Sequence, residues 1–547
     1  MATHIVRNQP SAFVGANLFA SDPVLTRAVE LWGDPGDVAE LTALGVHAGS
    51  AQAQAWGDQA DRHIPVLRSH NAQGERIDEV EFHPAWHALM AAGVGAGLTA
   101  EPWTRPDGSG AHVRRAAGFV VWSQVEQGHL CPISMTYAAA PALRAAPGLA
   151  SDWLPALASR RYDFGLRPLG DKAGAIVGMG MTEKQGGSDV RANTTMATPE
   201  PAGPLGADSH RLVGHKWFCS APMSDAFLVL AQAPAGLSCF LVPRVLPDGS
   251  RNAFAIQRLK DKLGNRSNAS SEIEFDGTWG VAVGESGRGV RTILDMVAAT
   301  RLDCVLGSAA TMRQALVRAV HWTGHREAFG ARLTDQPLMR NVLADLALES
   351  EAATLLGLRL AHAVDTGDTD FSRLGVALGK FWVCKRTAPM VAEALECLGG
   401  AGYVEENGIA RLYREAPLNS IWEGSGNVNA LDVLRALTRE PASVAALCKE
   451  LALARGFDRR LDAAIDRVEE LAVSAFAADA QVNARRVVEE LALTLQSSLM
   501  ARFAPEAIAE AFLESRLGGG HGTTFGTLTA GTVESAASEL IARSTAT

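Results

Sequence analysis

Gly178-Met179-Gly180-Met181-Thr182-Glu183-Lys184-Gln185-Gly186-Gly187-Ser188-Asp189 follows an apolar, strand-like run at 173–177 and precedes a polar stretch at 191–195. Two adjacent glycines and a Ser-Asp pair predict a tight loop whose N–H groups and hydroxyls face a polar ligand. The dinucleotide fingerprint is not met, because its third glycine is missing and no amphipathic helix follows. A P-loop is excluded, since no Gly-Lys-Ser/Thr ending is present. The plainer reading of this stretch is a decorated β-turn.

The chain changes character at this loop. Before it, residues 22–158 read as mostly helical, with 84–90 and 116–127 apolar at helical spacing. After it come short β-like runs at 226–230, 238–242, 253–256 and 272–275, separated by turns such as Pro247-Asp248-Gly249. Helical character returns at Gly289, with long periodic runs at 302–326, 337–363, 374–398 and 429–437 that suit a bundle. The expected class is α+β. Its expected parts are an N-terminal helical domain (1–172), a small antiparallel β domain (173–285), a helical bundle (286–439) and an extra C-terminal helical region (440–547). The glycine run at 518–522 and the polar end after Ser535 read as flexible.

A second stretch carries a candidate base. Ile421-Trp422-Glu423-Gly424-Ser425-Gly426-Asn427 places a carboxylate at a short turn between helical segments. Glycines there let the backbone approach a flat ligand, and Trp422 lowers the dielectric around Glu423, which raises a carboxyl toward the range of a useful base. The bland alternative is an N-cap rich in Glu, Ser and Asn.

The 547 residues carry a formal net charge of −10, which argues against a generally basic, nucleic-acid-coating protein. Seven cysteines are scattered without a C-x-x-C pair, as expected of reduced thiols in the cytoplasm, and a zinc site is not expected. The first residues lack the apolar stretch of a signal peptide, and no run of about 18 apolar residues suggests a membrane span. His321 and His325 stand i, i+4 on a helix but lack a third ligand nearby in sequence, so no metal is expected. Asp303 reads as the ion-pair partner of Arg301. Lys260, Lys262 and Arg266 form a basic cluster that is either a phosphate contact or a solvated loop.

Thr182-Glu183 followed by Gly187-Ser188-Asp189 resembles the flavin-binding signature of the acyl-CoA dehydrogenases. Lys216-Trp217-Phe218-Cys219-Ser220 resembles that family's next flavin-contacting strand. Arg326-Glu327-Ala328-Phe329-Gly330 with Gln336 resembles its motif for a neighbouring subunit's flavin. Leu398-Gly399-Gly400-Ala401-Gly402-Tyr403 resembles its late helix-end motif, and Trp422-Glu423-Gly424-Ser425 its catalytic-glutamate motif. Within the family, 179–189 and 260–270 resemble the AidB, or alkylation-response, subfamily. Ser425 and Asn427 replace the threonine and glutamine common in ordinary members, and both still donate hydrogen bonds.

The resemblance implies a flavoprotein holding FAD, with Glu423 removing the α proton of an acyl-CoA and the β-hydride passing to the flavin. It places Met181, Thr182, Gly187, Ser188, Trp217, Phe218 and Ser220 at the ring and ribityl chain. Trp422, Ser425 and Asn427 follow on the catalytic side, while Arg326, Phe329, Gln336 and Gly400 reach a second subunit's cofactor, which implies a homotetramer built as a dimer of dimers. Core packing is the alternative for Trp217, and a solvated helix position the alternative for Arg326. The subfamily is also associated with double-stranded DNA through its C-terminal region. Residues 441–547 hold ten basic against fourteen acidic groups, so a phosphate-binding face would have to come from Arg455, Arg459, Arg460, Arg485 and Arg486. The alternative is a mixed-charge solvated face.

Overall fold

The computed structural model describes residues 3–546. The chain divides into two compact units. One takes in Ala55–Pro106 and Glu126–Thr300; the other takes in everything before Ala55, Asp107–Val125 and everything from Arg301.

The first unit is built on a seven-stranded sheet. Its ladder runs through Val177–Gly180, Ala226–Ala233, Met196–Pro199, Ser209–Ser220, Ser270–Val283 and Gly236–Pro243, and the seventh strand, Ala255–Leu259, pairs with Ser270–Val283 off that path. Ala226–Ala233 also pairs directly with Gly236–Pro243, so the ladder returns on itself. The sheet is mixed, not antiparallel as expected, because Val177–Gly180 and Met196 both lie parallel to Ala226–Ala233. Parallel neighbours need long connections rather than tight turns, and periodicity within a strand carries no sign of them. Leu228, Leu230, Cys239 and Leu241 face a core shared with Tyr137, Leu143 and Trp153 from the helices of this unit. Gly178 is a packing glycine: a Cβ there would lie 2.3 Å from the Phe227 ring.

The mostly helical span 22–158 is interrupted by a hairpin that the sequence reading did not pick out, Val66–His70 paired with Arg76–Glu81. These strands are short, and Arg76–Glu81 carries four charged side chains in six residues. They are fixed by tertiary bonds such as Ile256 N–H donating to the Asp78 carboxylate at 2.8 Å.

The second unit is a helical bundle. The helices Pro337–Asp365 and Thr369–Glu396 are buried along most of their lengths, as interior helices of a bundle are. Pro337 sits in the first turn, where its missing N–H costs nothing, and Asp368 caps the second helix by accepting from Phe371 N–H at 3.2 Å. Gly289–His325 is one helix, starting at the predicted Gly289 and well before the apolar run at 302. The end of the chain corrects the expectation of flexibility. Ala530–Arg543 is a helix packed on Pro337–Asp365, with Ala537 and Leu540 fully buried and Arg543 paired to buried Glu351 at 2.9 Å. The glycine-rich segment before it is tied down as well, Gly526 N–H donating to Asp345 at 2.9 Å.

Candidate functional site

In the sheet unit, strand Val177–Gly180 delivers the loop that begins at Met181. What fixes this loop is Glu183, fully buried against fully buried Lys216 at 2.7 Å. The Glu183 carboxylate also accepts from the N–H groups of Thr194 (2.7 Å) and Thr195 (3.1 Å) and from Gln185 Nε2 (2.8 Å). Burial alone would raise the Glu183 carboxyl. The Lys216 bond and the threonine amides outweigh burial and hold it well below the ordinary carboxylate range. Lys216 completes its own bonding at the Leu230 carbonyl, 2.7 Å away. Sequence reading passed over this pair as site residues, because its members are 33 positions apart.

The predicted ring-facing residues of this unit gather at that loop. Trp217 N–H donates to the Thr182 carbonyl at 2.9 Å, joining the loop to the next strand. A Cβ at Gly187 would lie 2.5 Å from the Thr182 hydroxyl, so the loop closes over Thr182 only with glycine there. Met181 is half-buried and Ser188 exposed. Trp217 is half-buried rather than a core residue, and Phe218 is exposed. Lys260 Nζ stands 3.6 Å from the centre of the Trp217 ring and 4.4 Å from that of Phe218, a cation–π arrangement. Lys260 also pairs with Glu272 at 2.7 Å, and Lys262 bonds the Asn268 carbonyl at 2.5 Å, so these two lysines are structural rather than a solvated cluster. Ser220 accepts from Asn268 Nδ2 at 3.2 Å. Hydroxyls and backbone amides around an accessible aromatic pair form a donor set that suits the heteroatom edge of an isoalloxazine.

In the helical unit, Glu423 occupies a left-handed turn, with φ +56 at Glu423 and +95 at Gly424. Such a conformation costs a non-glycine residue about 1–3 kcal/mol and persists only where the surroundings enforce it. Three consecutive carbonyls supply the enforcement. Lys380 Nζ donates to the carbonyls of Trp422 and Gly424, both at 2.8 Å, and Arg301 Nε donates to that of Glu423 at 3.0 Å. Asn429 adds a bond to the Gly424 carbonyl at 2.6 Å. The Trp422 indole is held by Asn419 at 2.9 Å. The expected Asp303–Arg301 pair is absent: Asp303 is bonded to Arg115 on another helix, and Arg301 turns to Asp432 at 2.7 Å. Neighbours along a helix point to different faces, so adjacency at 301 and 303 does not make a contact.

Ser425 stands at the N-cap of Gly426–Arg439 without bonding its own helix, so its hydroxyl is not committed to the cap. Asn427 accepts from Arg485 Nε at 2.9 Å. Elsewhere in this unit Arg326 and Gly400 come together in a cleft of about 520 Å³, lined also by Trp322, Met339 and Gly399. A side chain at Gly399 or Gly400 would meet nothing within 4 Å, so these glycines face open space. Gln336 points instead to the Ala328 carbonyl at 3.2 Å, bracing the hairpin whose tip is fully exposed Phe329. Among the described residues no cluster of three or more His, Cys, Asp or Glu side chains is arranged to hold a metal, and no helix is long and apolar enough to cross a membrane. All seven cysteines are free thiols, six of them buried.

Of the arginines proposed for DNA, three are already paired with acids. Arg455 pairs with Asp466 (2.8 Å), Arg460 with Asp458 (2.9 Å) and Glu510 (2.7 Å), and Arg486 with Glu490 (2.9 Å). Arg485 bonds Asn427, and Arg459 is exposed.

Comparison with known proteins covers the same ground. The AidB N-terminal domain of the adaptive response protein matches residues 8–164, the acyl-CoA dehydrogenase middle domain matches 178–278, and the acyl-CoA dehydrogenase C-terminal domain matches 287–438. AidB of Escherichia coli (strain K12) is 46% identical over 520 residues, 94% of this chain and 94% of that protein. The crystal structure of Caenorhabditis elegans ACDH-11 in complex with C11-CoA superposes with a TM-score of 0.83 at 25% identity, covering 99% of this chain and 93% of that one. A glutaryl-CoA dehydrogenase from Mycobacterium smegmatis in complex with FADH2 shares the fold, with a TM-score of 0.59 at 19% identity over 75% of this chain and 96% of that one.

Proposed function

Because the chain belongs to the acyl-CoA dehydrogenase family, on its AidB branch, we propose that it oxidises an acyl-CoA between the α and β carbons with Glu423 as the base. It is a flavin oxidoreductase of the acyl-CoA dehydrogenase type, and its cofactor is FAD. The observation that carries the catalytic reading is the Glu423 turn: a glutamate at φ +56 whose own carbonyl and the two flanking carbonyls are bonded by Arg301 and Lys380. Strain maintained at that expense in a family with a glutamate base points to a working residue.

An α C–H is far too weak an acid for a carboxylate in water. The base must act on a substrate whose carbonyl is polarised, in a site from which water is shut out. Glu423 takes the α proton as the α C–H bond breaks. FAD, when bound, supplies the acceptor for the hydride that leaves the β carbon, and the product is an α,β-unsaturated thioester. Met181, Thr182, Gly187, Ser188, Trp217, Phe218 and Ser220 would hold the ring and ribityl chain. Ser425 and Asn427, at a helix N-terminus, would hold the diphosphate, with Trp422 beside the ring. Arg326 and Gly400, lining their cleft, and Phe329 on the hairpin tip would receive the far end of a second copy's cofactor in a dimer of dimers. The C11-CoA held by the Caenorhabditis relative supports an acyl-CoA as the substrate class.

A second reading, binding of duplex DNA by the C-terminal helices, draws on exposed Arg459 and Arg485 and has less support, since Arg455, Arg460 and Arg486 are already paired with acids.

Anaerobic titration with a panel of acyl-CoA thioesters tests the first reading. The parent bleaches with a matching chain length. Glu423→Gln keeps its yellow colour and bleaches at least about 100-fold more slowly, the scale of losing a positioned base. Bleaching of that variant at the parental rate removes Glu423 from the role.

A further inference from the structure

Lys380 is a lysine where a helix of this kind should carry an apolar residue. It lies in the middle of Thr369–Glu396, 1% exposed, between Gly379 and Phe381, both buried. Burying an ammonium group is expensive unless it is bonded on all sides. The bonds it makes are to two main-chain carbonyls, Trp422 and Gly424, each at 2.8 Å. These carbonyls are the ones immediately before and after Glu423.

All described peptide bonds are trans. In a trans peptide the N–H points opposite to the carbonyl it follows. With the Trp422 carbonyl drawn to Lys380, the Glu423 N–H is turned to the far side of the turn. With the Glu423 carbonyl drawn to Arg301, the same holds for the Gly424 N–H. The ammonium group therefore sets the orientation of the backbone that bears the base. It also forces the left-handed φ at Glu423, since releasing the carbonyls at 422 and 424 would let that residue return to an unstrained conformation. Lys380 and the thiol of Cys304 are both buried, and Glu423 is half-buried. The Cys304 thiol is pushed well above its ordinary range, first by burial, with Lys380 and Glu423 both acting on it.

We propose that Lys380 is a positioning residue for proton abstraction, clamping the backbone on both sides of Glu423 so that the carboxylate meets the substrate α carbon. The inference rests on the reading of Glu423 as the base. The step it serves is balanced without the flavin: Glu423 takes the α proton, the C–H electron pair moves to the thioester oxygen as an enolate, and return of a solvent-exchanged proton restores the thioester.

The test is deuterium wash-in at the α carbon of a redox-inert acyl thioester in heavy water, followed by NMR on the FAD-loaded protein. Lys380→Met, of similar length but without donors, is expected to keep FAD and bind the thioester within about threefold of the parent. Its exchange rate should fall about 100-fold, the scale of a 1 Å misplacement of a reacting group. Lys380→Arg, which keeps the charge and can reach both carbonyls, should recover at least a tenth of the parental rate. A purely structural lysine would lower melting temperature and FAD content together and leave the exchange rate per bound FAD unchanged, and that result overturns the proposal. Should Lys380→Met fail to hold FAD, Lys380→Gln decides by the same rate per bound FAD. Undiminished exchange in Glu423→Gln instead overturns the base itself, and the inference falls with it.

Discussion

Arg301 donates to the main-chain carbonyl of Glu423 at 3.0 Å while its other end pairs with Asp432 at 2.7 Å. The carboxylate of Asp432 is shared with Arg373 at 2.8 Å, and Arg373 reaches on to Glu440 at 3.0 Å. Burial works to raise the Asp432 carboxyl, but the two arginines outweigh it and hold the group below the ordinary range, so it is ionised wherever the protein works. Asp432→Asn leaves Arg301 and Arg373 competing for a neutral partner. Removing one member of a buried ion pair costs about 3–5 kcal/mol, discounted here because Arg373 is partly open to solvent. The expected outcome is a melting temperature lower by several degrees and slower turnover, because Arg301 no longer has a fixed base from which to hold the turn. Unchanged turnover in a folded Asp432→Asn protein would separate the network from the site.

The Glu183–Lys216 pair makes a pH prediction. The folded-state carboxyl of Glu183 is depressed, so the native state holds that proton less tightly than the unfolded chain does. Its stabilisation is present in full above the unfolded value of about 4.3 and is lost as pH falls below that toward the folded value. Acid should therefore loosen the flavin loop before it unfolds the helical bundle. Flavin fluorescence during a descending pH titration reports the release. Lys216→Met should leave an unpaired buried carboxylate and move that release toward neutral pH, while Glu183→Gln combined with Lys216→Met should restore part of the retention. Release at the same pH in all three proteins would contradict the assignment.

How much of this was visible in the sequence depended on whether a feature is local. The loop at 181–188 and the turn at 422–425 announced themselves through glycines and a carboxylate in a few consecutive residues. The strands at 226–233 and 236–243 were legible as apolar runs with a turn between them. Lys380 was not, because a single lysine in a helical run reads as a surface position until the fold brings residues 42 and 44 positions away onto it. Asp303 was assigned to its sequence neighbour and belongs to Arg115, 188 positions distant. The last helix was hidden for another reason. Its stripe of Ala536, Ala537 and Leu540 is narrow and small, and it earns its burial only from the groove on Pro337–Asp365.

Gly400 separates the cofactor role of the 520 Å³ cleft from a role in folding. A Cβ there meets no atom within 4 Å, so Gly400→Val can be accommodated by the folded subunit while filling space beside Arg326. The variant should melt in its apo form within about 2 °C of the parent, since substitutions away from packed features are usually within about 0.5 kcal/mol. Its affinity for FAD should fall about tenfold or more, measured by fluorescence quenching on reconstitution. An unchanged affinity would mean that the cleft receives no part of a cofactor.

The C-terminal helices make the last prediction. Affinity for duplex DNA falls with salt in proportion to the phosphates neutralised, and each free arginine on one face adds to that slope. Arg455, Arg460 and Arg486 are each engaged with a carboxylate at 2.9 Å or less, and residues 441–547 carry more acidic than basic groups. A duplex must either displace those acids or rest on Arg459 and Arg485 alone. Any shift in a gel at low salt should therefore have a shallow salt dependence, about two phosphates in slope, and vanish near physiological ionic strength. Arg459→Glu combined with Arg485→Glu should abolish it. A steep slope that survives this double change would place the DNA contact on another surface of the protein.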